Sequence, residues 1–185
     1  MNKSDKNGFT VVELIVTIGI LIVITALILA DYPEFSQRMS LKKTSQEIAL
    51  VVHQAQAYGL GVREFIPGSG VYPGYGIHFD SSSPDSFLLF ADLNGNKLYD
   101  GDAEKVELFK IKTGEAIYDL CGNEKNTPPG VCSLNTMDIV YFRPAPVVSL
   151  RSGAFTYADA EIKIKSQHAG IKEIIIWLSG QISIE

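Results

Sequence analysis

The chain has 185 residues, with 16 Lys and Arg against 21 Asp and Glu, a net charge of −5 and two cysteines. An acidic balance with no long basic run excludes the broad electrostatic footprint of a nucleic-acid-binding domain. The length allows one domain with its own core rather than two.

Residues 1–8 are polar and carry Lys3 and Lys6, and an apolar run begins directly after Gly8. From Phe9 to Ala30, 17 of 22 residues are apolar and one, Glu13, is charged. Outside that run roughly 42% of residues are hydrophobic, an ordinary globular fraction. As a helix the run spans about 33 Å, enough to cross a hydrocarbon core of about 30 Å. The basic leader directs residues 1–8 to the cytoplasmic side and the rest of the chain to the other. Ala30-Asp31-Tyr32-Pro33 lacks the small-residue pattern of an ordinary signal cleavage site, so the run reads as a retained anchor. Glu13 is its informative residue, because a carboxylate in a spanning helix costs about 2.5–3.5 kcal/mol on insertion scales.

Gly8-Phe9-Thr10-Val11-Val12-Glu13-Leu14 resembles the class III signal of type IV pilins and type II secretion pseudopilins. The resemblance covers about the first 30 residues. It implies that prepilin peptidase cuts between Gly8 and Phe9 and N-methylates Phe9. It also implies that the mature chain, resident in the inner membrane, joins other pilins or pseudopilins in a filament. Elementary electrostatics agrees with that scheme. A new amine at Phe9 is a cation at a membrane face, and Glu13, one helical turn on, is a suitable partner within one chain or between neighbours.

After Tyr32-Pro33 the pattern stays helical and becomes amphipathic. Phe35, Met39, Ile48, Val51, Val52, Ala55 and Tyr58 recur at three- and four-residue steps until Gly59-Leu60-Gly61, with Pro33 expected to kink or interrupt the helix. Residues 31–60 therefore continue the helix of residues 9–30. From residue 61 onward, residues 61–185 form the globular domain. From about residue 71 the period changes to two, and residues 75–80, 86–90, 106–111, 138–142, 161–165, 171–178 and 181–184 read as strands. The last three make an antiparallel meander with a turn at Gln167-His168-Ala169-Gly170. One long helix followed by antiparallel strands is an α+β fold, with the helix covering one sheet face. Gly74-Tyr75-Gly76-Ile77-His78-Phe79-Asp80 and Trp177-Leu178-Ser179-Gly180-Gln181-Ile182 are similar to the GspH/FimT branch of minor pseudopilins and pilins. Some members of that branch bind DNA through C-terminal arginines. Gln181 and the terminal Glu185 stand there in this chain and argue against nucleic acid as a partner.

Between Ala91 and Glu104, Asp92, Asn94, Asn96 and Asp100 place oxygens at positions 1, 3, 5 and 9 of a loop, with the Leu98 carbonyl at position 7. A calcium ion, which takes six to eight oxygens, is bound by such spacing. Lys97 stands where an EF-hand has Gly, and Glu104 comes one residue late, so Asp102 is an alternative closing carboxylate. The other reading is an Asn-Gly turn bearing solubilising acids. Cys121 and Cys132 enclose a 12-residue segment rich in turn formers and, outside the cytoplasm, read as one disulfide. His53, His78 and His168 are isolated in the sequence, and no nucleophile, P-loop or zinc spacing makes an enzyme of the chain. The function expected is a structural subunit of a type IV pilus or type II secretion pseudopilus. The alternative is a membrane-anchored module whose sheet domain binds a ligand, an adhesion target or DNA, through the aromatic stretches near Tyr72 to Phe79 and Tyr141 to Phe142.

Overall fold

In the computed structural model, Thr10 caps a helix, α1 (Val11–Leu60), by accepting the Glu13 N–H on its hydroxyl at 3.2 Å. The structure describes residues 9–61, 63–112, 114–144, 148–167 and 169–185. Residues 1–8, including Gly8 of the expected cleavage junction, and His168 of the predicted turn lie outside them. The helix has 50 residues, about 75 Å at 1.5 Å per residue, and its secondary structure runs through Pro33 without interruption.

The two halves of α1 have different surroundings. Along its first half the apolar side chains are exposed on every face, and the helix is long and apolar enough to cross a membrane. In the second half a stripe of Leu41, Thr44, Ser45, Ile48, Val52 and Ala55 is buried, recurring at three- and four-residue steps on a single face. Phe35 and Met39 were expected in that stripe but are 62% and 52% exposed. The buried stripe therefore begins at Leu41.

The remainder is antiparallel β-structure. The strands are β1 (Gly74–Asp80), β2 (Ser86–Asp92), β3 (Lys105–Lys110), β4 (Glu115–Gly122), β5 (Thr136–Tyr141), β6 (Val148–Ser152), β7 (Phe155–Thr156), β8 (Asp159–Ser166), β9 (Gly170–Trp177) and β10 (Ile182–Ile184). They form two sheets rather than one, ordered β3-β2-β1-β5-β6-β7 and β10-β9-β8-β4. Helix α1 packs on β1 and β5 of the first and on β8, β9 and β10 of the second, so it joins the two sheets through a shared core. Alternation explains which residues fill that core: Ile77 and Phe79 on β1, Met137, Ile139 and Tyr141 on β5, Ile162 and Ile164 on β8, and Ile174 and Ile176 on β9. Tyr75, Phe79 and Tyr141, at the heart of the aromatic stretches read as a binding surface, are buried. Of that surface, Tyr72 remains exposed, its hydroxyl donating to Glu64 Oε1 at 3.0 Å.

Strands β4, β6 and β7 are additions to the sequence reading. In β4 a register shift between Ile117 and Asp119 breaks the alternation against β8. A bulge of this kind conceals a strand from a period-two search.

Candidate functional site

Two regions carry the residues singled out in the sequence. The first is the start of α1. Thr10-Val11-Val12-Glu13 has the spacing of a capping box, in which Glu13 would accept the Thr10 N–H. Only half of the box forms, because the Thr10 hydroxyl takes the Glu13 N–H without a reciprocal bond. The Glu13 carboxylate is exposed and has no cation within ion-pair distance among the described residues. It lies in the first turn, where the positive end of the helix dipole stabilises an anion. Phe9 precedes it, exposed and outside the helix.

The second region is the loop from Asp92 to Glu104, between β2 and β3. Asp92 is buried at the end of β2, and its two oxygens accept the N–H groups of Gly95 at 2.8 Å and Lys97 at 3.0 Å. Asn94 Oδ1 accepts the Asn96 N–H at 3.0 Å, and Asn96 Oδ1 accepts the Leu98 N–H at 2.8 Å. The side-chain amides of Asn94 and Asn96 both donate to Asp100 Oδ2 at 2.6 Å. The chain therefore winds around its own oxygens. This winding requires a left-handed backbone at Gly95 (φ 76°) and at Lys97 (φ 66°), the position where the sequence lacks the glycine of an EF-hand.

The two candidate closing acids are sharply different. Glu104 is buried and accepts the N–H groups of Leu93 at 3.0 Å and Asp100 at 3.1 Å. Asp102 stands in solvent, its side chain 94% exposed. Burial raises the Asp92 carboxyl above the ordinary range for an aspartate, against the opposing backbone bonds from Lys97, Gly95 and Asn96. The loop is fastened to the sheet by Arg151 of β6, which donates to the Asn96 carbonyl at 2.8 Å, and by Tyr99, whose ring lies 4.9 Å from that of His78.

Three features escaped the sequence reading. His78 is not isolated: its Nδ1 lies 2.7 Å from Asp138 Oδ1, its register partner on β5, and both side chains are largely buried. Asp159, fully buried, accepts the N–H groups of Asn126 at 2.9 Å and Lys125 at 3.3 Å, and so ties down the segment closed by the Cys121–Cys132 disulfide. Beneath that segment, on the outer face of the smaller sheet, Glu161 is 1% exposed and lies among Glu124, Lys125, Lys163, Glu173 and Glu185. A sequence signal exists for none of the three, since each group meets partners from a distant strand or loop.

No protein-family model, curated protein or solved structure matches the chain.

Proposed function

We propose that the chain is a minor pilin or pseudopilin, anchored in the inner membrane by the first half of α1 and assembled through that same half into a filament. The reading rests on one observation: an apolar helix exposed on every face carries a single unpaired carboxylate, Glu13, in its first turn, and runs without a break into the core of a folded domain. An apolar surface of that extent is unstable in water and needs lipid or other apolar helices around it. Both environments reward a partner for Glu13, because a lone buried carboxylate costs several kcal/mol. Cleavage between Gly8 and Phe9 supplies that partner as a free amine while keeping the helix attached. In a filament, the amine of one subunit can neutralise Glu13 of the next and so set the axial register.

The test is the mass of the mature N-terminus after expression with a prepilin peptidase. A chain beginning at N-methylated Phe9 is expected. An intact Met1, or a start beyond Ala30, overturns the reading.

Calcium at the Asp92–Glu104 loop belongs to the same proposal as a stabilising ion. Asp92, Asn94, Asn96, Asp100 and Glu104, with the Leu98 carbonyl, form a donor set of the hard oxygens that calcium takes. Saturating calcium should raise the melting temperature, with a gain of about 1.4 kcal/mol at ten times the dissociation constant. Asp100→Ala should abolish the gain. An unchanged melting curve in calcium assigns the loop to self-contained turn structure.

A further inference from the structure

Three carboxylates converge on the Cys121–Cys132 disulfide. Asp119 Oδ2 lies 3.7 Å from Cys121 Sγ, and Glu124 Oε2 lies 3.0 Å from Cys132 Sγ. Glu161, 1% exposed, brings an oxygen within 4.8 Å of both Cys121 Sγ and a Glu124 oxygen. A disulfide has no proton to donate, so the sulfurs offer these acids nothing in the oxidised chain. Lys163, 3.1 Å from Glu124, balances part of the charge, yet neither oxygen of Glu161 accepts a hydrogen bond. Asp119 is held in its pose from the other side: Oδ1 accepts the N–H groups of Ser133 at 2.8 Å and Leu120 at 2.9 Å, which leaves Oδ2 beside the sulfurs.

The backbone holds the two cysteines together without help from the S–S bond. Gly122 and Val131 exchange both N–H···O bonds, at 2.8 and 2.9 Å, and the Leu134 N–H donates to the Leu120 carbonyl at 3.1 Å. These pairs flank Cys121 and Cys132, whose Cα atoms are 4.0 Å apart. Asp159 and Asn123, whose Oδ1 accepts the Ala158 N–H at 2.6 Å, anchor the segment between them. Two thiols in place of the disulfide therefore stay side by side, and both sulfurs and an Asp119 oxygen already lie within 4.8 Å of one another. Cys132 is exposed and gives an ion a path in. Two thiolates with carboxylate oxygens suit zinc, which accepts sulfur and oxygen together in a tetrahedral site, whereas calcium and magnesium take oxygen alone.

We propose that in the reduced chain Cys121, Cys132 and Asp119 hold a zinc ion, with Glu124 as the fourth donor, and that metal and disulfide are alternative staples of this segment. Binding converts two thiols to thiolates and releases two protons. Oxidation returns the disulfide: two electrons pass from the thiolates to a disulfide oxidant, which takes up two protons as a dithiol, and the ion leaves. Cysteine enters a new chain as the thiol, so the zinc form precedes the disulfide and needs no reductant. The proposal is independent of the anchoring and filament readings.

The test uses the full chain in detergent, reduced with a phosphine that is then removed without air, and cobalt(II) as the spectroscopic substitute for zinc. The reduced chain should take up cobalt with a thiolate-to-cobalt charge-transfer band and the intense visible bands of a tetrahedral site, and zinc should remove both. The oxidised chain should show neither, and the all-oxygen loop at residues 92–104 cannot supply the charge transfer. Asp119→Asn combined with Glu124→Gln should weaken cobalt binding at least about tenfold. A third measurement needs no variant: zinc at ten times its dissociation constant should slow disulfide formation by oxidised glutathione about tenfold. A reduced, metal-free chain that has lost the native fluorescence of Trp177 overturns the proposal, because the thiols are then not held in place. Absence of the tetrahedral spectrum, an oxidation rate indifferent to zinc, or a folded paired variant with unchanged affinity overturns it equally, the last by assigning the metal to the thiols alone.

Discussion

Replacing Gly59 with alanine is expected to destabilise the folded domain by about 3 kcal/mol, which lowers Tm by about 6–12 °C in a domain of this size. A Cβ at Gly59 would stand 2.2 Å from the Tyr141 carbonyl oxygen and 2.8 Å from both the carbonyl carbon and the Cβ of Tyr141. The obstacle is mostly backbone, and that backbone is fixed. Tyr141 is fully buried, ends the ladder of β5 against β1, and pairs with Val148 on β6. The helix must therefore move off the larger sheet to admit one methyl group. Alanine is the better helix former by about 1 kcal/mol, so the net loss measures the packing clash after that gain. Gly19 provides the control within the same helix, because a Cβ there meets nothing within 4 Å. Gly19→Ala should leave unfolding unchanged or slightly raised. Unfolding can be followed through Trp177, the single tryptophan, and equal midpoints for Gly59→Ala and the parent chain would refute close contact between α1 and β5.

The same glycine shows what the sequence makes legible. Gly59-Leu60-Gly61 marks the end of α1 because glycine punctuates helices, and the helix does end at Leu60. A second role, as the point where a helix touches a strand, depends on Tyr141, 82 positions later in the chain. Periodicity reads local structure well wherever one face is buried. The strands β1, β2, β3, β5, β8, β9 and β10 all declare themselves by alternation, and together with α1 they give the α+β class. It reads poorly where the chain changes partners. Strand β4 carries a bulge, β6 follows the proline-containing segment at residues 144–146, and β7 has two residues. The division into two sheets is a pairing decision, and no single strand carries it.

The candidate sites divide in the same way. Phe9 and Glu13 are legible because their spacing is local. The oxygens of the 92–104 loop are legible as a set, but the choice of Glu104 over Asp102 as the inward acid is made by burial against β2 and β3.

Glu161 is the case in which the local pattern misleads. In Glu161-Ile162-Lys163-Ile164-Lys165 the charged residues occupy the face opposite the core and read as solvated. The disulfide-closed segment covers that face and leaves Glu161 buried beside three other carboxylates with two lysines among them. Lys125 lies 3.4 Å from Glu161 and 3.1 Å from Glu185, and Lys163 lies 3.5 Å from Glu161 and 3.1 Å from Glu124. Two cations shared among four anions do not offset desolvation. Burial first, and then Glu124 and Glu173, push the Glu161 carboxyl up to about 7. Glu124 is correspondingly held below its usual range by the neighbouring Glu161 carboxyl and by Lys163. The sign of the effect on stability follows directly. Between the ordinary glutamate value of 4.5 and about 7 the folded chain keeps a proton that the unfolded chain has lost. Stability therefore falls as pH rises through this window, the reverse of the usual behaviour of carboxylates. Between pH 5 and pH 8 the loss should be about 2–3 kcal/mol, measurable as a falling denaturation midpoint. Glu161→Gln, uncharged and of the same shape, should flatten the profile and leave the variant more stable than the parent chain at pH 8. Glu173→Gln removes one of the acids that raise Glu161 and should move the window to lower pH. A midpoint that rises from pH 5 to pH 8, or a Glu161→Gln profile parallel to the parent, would show that the lysines hold Glu161 ionised.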